Sequence, residues 1–141
     1  MMLKTQLTAF IGAVILAGSS LANPIKPEVC PSVPSIQSEG MSMSSEILEG
    51  MYITYNLSHY NTSSSWVFIV GPIAAENDDM ALAESNKLLS TMSGSPHPED
   101  DGEGNWICQY TTKSKDIIAF AIEADDMPSP LKMMRYLRTI R

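Results

Sequence analysis

From residue 51 to residue 60 the chain alternates without a break. Met51, Ile53, Tyr55, Leu57 and His59 fall on one side, and Tyr52, Thr54, Asn56, Ser58 and Tyr60 on the other. A repeat of two is the period of an extended strand, so this stretch is a strand with one apolar side. Residues 61–64 (NTSS) make a polar turn, and residues 66–70 (WVFIV) are apolar on both sides, as a central strand is. Gly71-Pro72 is expected to end that strand, because proline cannot donate to a ladder. The two runs read as a hairpin.

A helix is expected over residues 77–92, where Asn77 and two acids precede apolar positions on one side and Gly94 follows. Residues 94–105 (GSPHPEDDGEGN) read as a loop. The order then repeats, with strands over 106–112 and 117–123, a turn between them, and a closing helix over 131–140. The expected fold is α+β: a roughly four-stranded antiparallel sheet from two strand-strand-helix units, with the helices on one face. Residues 23–50 are expected to precede the domain proper (51–141) as an arm. Four prolines in 23–40 favour extended backbone, and a helical turn is possible over 44–48.

The first 22 residues read as a cleaved signal peptide. Lys4 is the positive residue, residues 7–17 (LTAFIGAVILA) are an apolar stretch too short for a stable span, and Ser20-Leu21-Ala22 fits the cleavage pattern. The expected mature chain has 119 residues (141 less 22), enough for one domain, with no transmembrane anchor and no lipid-bearing cysteine. Loss of Lys4 moves the net charge from −7 to −8, which disfavours nucleic acid as a partner. The expected location is periplasmic, cell-surface or secreted.

Two cysteines, Cys30 and Cys108, make an even count in an exported chain and point to one disulfide. Cys30-Pro31 also has the form of a pair that presents a thiolate to haem iron, a reading that an oxidising compartment weakens. The charge is unevenly spread. All sixteen acids lie in residues 28–126, whereas 127–141 hold Lys132, Arg135, Arg138, Arg141 and no acid. That segment reads as a solvated helix face, or as a docking patch for an anionic group.

Hydrolytic and phosphate-binding signatures are missing: there is no G-x-S-x-G, P-loop or H-E-x-x-H. A non-catalytic protein is expected, with no resident metal. The carboxylates around His97 lack the alternation of a calcium loop. Met41, Met43, Met133 and Met134 would suit copper(I), but core packing explains methionines equally well. The aromatic residues are more telling. Tyr52 and Tyr60, with Trp66/Phe68 or Trp106/Tyr110 beside them, would form a platform, and His59 and Tyr60 are axial-ligand types at a strand end. The residues leave two readings open: His59, Tyr60 and Tyr52 as heme-binding residues, and His59 as simply a polar strand-end residue, which is the reading that composition alone favours.

Together, the signal ending at Ala22, the Pro-rich arm with Cys30, the YITYNLSHY strand and the GNWICQY strand resemble the small exported hemin-binding proteins of Legionella. The resemblance spans the whole chain and rests on layout rather than on a ligand motif. It implies an exported protein that binds hemin as its cofactor-like ligand and serves iron acquisition. The alternative is an interaction module, an effector or inhibitor, with a cell-surface or periplasmic protein partner.

Overall fold

A computed structural model describes residues 26–140. The expected signal segment lies outside the described residues. Helix α1 (Val33–Glu39) comes first, followed by strands β1 (Met43–Leu48), β2 (Met51–Ser58) and β3 (Trp66–Ala74), and helix α2 (Asp78–Leu89). The second half runs β4 (Glu99–Asp100), β5 (Trp106–Tyr110), β6 (Ile118–Glu123) and helix α3 (Pro130–Ile140). The described strands form one open antiparallel sheet of six, ordered β1-β2-β3-β6-β5-β4. The α+β class and the four expected strands are present. The count of four is corrected to six by one strand in the arm and one in the 94–105 loop.

Both corrections have local causes. In the arm, proline starts a helix instead of preventing one: Pro34 sits in the first turn, where its missing N–H is not needed. Ser32 caps that turn by accepting from the Ser35 N–H at 3.3 Å, and Gly40 ends the helix at φ 70°, a left-handed conformation suited to glycine. Residues 43–48 extend as β1, because their backbone pairs with β2 from Met43↔Tyr55 to Leu48↔Met51. Residues 23–50 are thus not an appended arm, since their described part supplies one helix and one strand.

Strand β3 also continues through Gly71-Pro72, where the sequence suggests an end. The pairing steps from Tyr52↔Ile73 to Thr54↔Val70, so Gly71 and Pro72 together oppose Ile53. This bulge holds Pro72 where no ladder donor is required. Gly71 is required by closeness: a Cβ there would lie 2.9 Å from Ile53 Cγ2 and 3.3 Å from Ile53 Cα.

The helices lie on both faces of the sheet, not on one. Trp66, Phe68 and Val70 of β3, with Ala119 and Ala121 of β6, point toward Ile36 of α1 and Leu89 of α2. Val67 and Ile69, with Phe120 and Ile122, point the other way, toward Met133, Tyr136 and Leu137 of α3. The cause is composition: the two central strands are apolar on both sides, so each side needs a cover. Every large side chain buried in this way contributes about 1.5–3 kcal/mol. A buried hydrogen bond of 2.6 Å between Thr54 Oγ1 and Ser85 Oγ fixes α2 to β2.

Cys30 and Cys108 are joined as a disulfide, their Cα atoms 5.9 Å apart and 78 positions apart in the chain. The sulfur of Cys30 is therefore committed, and the thiolate reading of Cys30-Pro31 is withdrawn. No helix among the described residues is long and apolar enough to cross a membrane.

Candidate functional site

The connection from β2 to β3, residues 59–65, begins with a tight turn that separates two neighbouring residues that the sequence groups together. The Thr62 N–H donates to the His59 carbonyl at 2.9 Å, while Tyr60 (φ 50°) and Asn61 (φ 60°) are both left-handed. Paired left-handed residues inside such a bond define a type I′ turn, whose twist matches that of a hairpin. Tyrosine is unusual there, and the burial of its ring offsets the backbone cost. The chain thus turns Tyr60 into the core, where it is 2% exposed, and leaves His59 outside.

His59 borders a cleft of about 660 Å³ at this end of the sheet. One wall is Lys26, Pro27 and Glu28, just ahead of the disulfide, and the others are residues 63–65 with Glu123 and Asp125. Lys26 Nζ lies 5.6 Å from the centre of the half-buried Trp106 ring, a cation–π contact. The imidazole is oriented by its own turn: Nδ1 is 2.9 Å from the Ser64 carbonyl oxygen. Thr62 braces that loop, with Oγ1 donating toward the His59 and Ser64 carbonyls and accepting from Trp66 Nε1 at 3.0 Å.

The two expected tyrosines are not in this cleft. Tyr52 is 6% exposed and Tyr60 2%, on the sheet face covered by α1 and α2. Phe68 and Tyr110 pack on that face edge to face, with ring centres 5.7 Å apart, and Trp66 is fully buried. Tyr60, Trp66, Phe68 and Tyr110 of the expected platform share one buried cluster, so these rings are core rather than an open surface. Burial also raises the Tyr60 hydroxyl above the ordinary tyrosine value, partly opposed by its bond to Asn56. Burial, with the Glu46 and Asp78 carboxylates nearby, raises Tyr52 as well. Both changes disfavour a tyrosinate, the form that binds iron.

The same burial has a pH consequence. Tyr110 is raised by burial and by its neighbour Tyr60, and its hydroxyl donates to the Pro31 carbonyl. Below about pH 10 both tyrosines are neutral, folded or unfolded, and their contribution is intact. Above it the unfolded chain ionises while the fold holds the neutral form. Stability should then fall by about 1.4 kcal/mol per pH unit for each tyrosine. Urea titrations at pH 9 and pH 11 should differ by about 2–3 kcal/mol, and Tyr110→Phe should remove roughly half of the difference. Equal stability at the two pH values would contradict this.

The other candidates do not assemble. Met41 lies in the core of one sheet face and Met133 in that of the other, so these two methionines are not brought together for copper(I). In the acidic loop Asp101 is turned toward its own backbone. Burial opposes its ionisation, but bonds from the Asn105 side chain and the N–H groups of Glu103 and Asn105 hold its carboxyl below the usual value. Among the described residues no group of three or more His, Cys, Asp or Glu is placed to hold a metal ion. Lys26, Glu28, Glu123 and Asp125 escaped the sequence reading. The signal that would locate the first two was present, since joining Cys30 to Cys108 brings residues 26–28 toward Trp106.

Residues 29–136 match a family model described as a domain of unknown function (DUF4949). No curated protein and no solved structure matches the chain.

Proposed function

We infer that this chain, which belongs to the DUF4949 family, is an exported protein that holds hemin without catalysis and contributes to iron acquisition. The observation that carries the reading is the bond between His59 Nδ1 and the Ser64 carbonyl. A carbonyl only accepts, so Nδ1 holds the proton and, in the neutral ring, Nε2 holds the lone pair. A backbone carbonyl that fixes the tautomer in this way is a common support for an imidazole that binds metal.

The surroundings fit in part. A cleft of about 660 Å³ falls within the roughly 300–1,000 Å³ of sites that enclose a sizeable ligand. Pro27 offers apolar contact within the cleft, and the Trp106 ring packs against Lys26 of its wall. Lys26 is the group suited to a propionate, because Glu28, Glu123 and Asp125 repel a carboxylate on their side. Hemin would supply a ferric iron with an axial position for Nε2. The buried Tyr52 and Tyr60 are left out of the ligand set and support the turn instead. The Cys30–Cys108 disulfide supports export, since such bonds persist in oxidising compartments.

The test is a hemin titration of the disulfide-bonded protein from Asn23 onward, followed in the Soret region beside albumin and an acidic protein that does not bind. Saturation at one hemin per chain, with a shift that depends on the protein, is the expected result. A featureless response that never saturates would remove the reading.

A further inference from the structure

The opposite end of the sheet carries a second, chemically different opening. Strand β2 separates them: Met51 begins it and His59 follows it, roughly 26 Å apart at 3.3 Å per residue. Around Met51 lies a groove of about 240 Å³, walled by Leu48, Pro72, Ile118 and Met134, with Arg138 among its lining. The bulge at Gly71-Pro72 and the amphipathic helix α3 build its sides. Leu48 is 66% exposed at its edge, whereas Met51, Pro72, Ile118 and Met134 are half-buried.

We propose that this groove binds the hydrocarbon chain of a fatty carboxylate, with the carboxylate on Arg138. Size excludes a macrocycle: the volume falls below the roughly 300 Å³ at which sites enclose drug-sized ligands, which leaves room for one slender chain. Charge selects the head group. The body is acidic, but residues 127–141 carry only cations, and among the described residues Arg138 makes no ion pair. A guanidinium at the edge of an apolar wall is suited to a carboxylate, which it can bind through two parallel hydrogen bonds. This gives the basic C-terminal segment a role apart from any at the His59 cleft. It also favours a small anion over a second copy of a chain whose net charge is −7.

The experiment is calorimetric titration of the disulfide-bonded protein with decanoate below its micellar concentration, with decyltrimethylammonium as the cationic counterpart. The expected result is saturable binding of one decanoate per chain and at least tenfold weaker binding of the cation. Arg138→Glu should weaken decanoate at least tenfold and reduce or reverse the charge preference. Leu48→Glu, at an exposed edge that folding tolerates, should weaken both ligands. His59→Ala should leave decanoate binding unchanged, so the groove and the hemin cleft fail or succeed separately. Binding unaffected by either groove substitution, or a stronger cation, would overturn the proposal. So would a dimer that Leu48→Glu dissociates in the absence of decanoate binding, since a second copy would then occupy the groove.

Discussion

Replacing Cys30 and Cys108 together by serine should lower the stability of the domain by about 4 kcal/mol. The bond closes a loop between residues 78 positions apart, and for such a loop the chain-entropy model gives about that value. Small domains are stable by only about 5–15 kcal/mol, so the loss is a large share of the total. Packing adds to the effect, because Cys108 is fully buried among Trp66, Phe68 and Ala121 of the same core. Denaturant titration of the double variant, and of the native chain with and without reductant, measures it. A loss below about 1 kcal/mol would mean that α1 and β1 hold the N-terminal segment without help. The consequence reaches the site, since Lys26, Pro27 and Glu28 form one wall of the His59 cleft just ahead of the bond.

Tyr60→Ala should cost about 3–5 kcal/mol, the range for deleting a large buried aromatic side chain. The ring is 2% exposed and packs in the core beneath α1 and α2. Its burial also offsets the left-handed backbone of the turn, at φ 50°. Tyr60→Phe keeps the ring and loses only a long hydroxyl contact to the Asn56 carbonyl, at 3.4 Å, so it should cost less than about 1 kcal/mol. The pair separates two roles for this tyrosine. A core residue gives a large difference between the variants in stability and none in hemin affinity. If Tyr60→Phe abolished hemin binding while stability held, Tyr60 would return to the ligand set.

The parts of the fold that could be read directly are those set by strong periodicity. The alternation from Met51 and the two-sided run from Trp66 identify β2 and β3, and the acids after Asn77 mark the start of α2. The paired cysteines were equally plain. What was hidden depends on partners distant in sequence. Residues 43–48 have little strand character of their own and become β1 because β2 offers a free edge. Pro34 could be taken for a breaker because proline acts in opposite ways at the start and in the middle of a helix. The helices on two faces were in fact implied by Trp66–Val70 being apolar on both sides, a pattern that one layer of helices cannot cover.

The site was legible by residue but not by direction. His59 and Tyr60 stand side by side in sequence, and only the turn geometry shows that one faces solvent and the other the core. Period-two counting places them on opposite faces but cannot say which face is covered. The partner of the imidazole is a backbone carbonyl, which leaves no trace in the sequence. Likewise Glu123 and Asp125 reach the cleft because β6 pairs with β3 in the register Glu123↔Trp66.

The most direct test of the account is the Soret spectrum of hemin with His59→Ala beside the native protein, each with and without added imidazole. The substitution should lower hemin affinity at least tenfold and change the axial-ligand bands. Imidazole should restore the native spectrum, while the unfolding curve stays within about 0.5 kcal/mol of the native one, as for an exposed residue. An unchanged affinity and spectrum in His59→Ala would contradict it and take the His59 cleft out of hemin binding altogether.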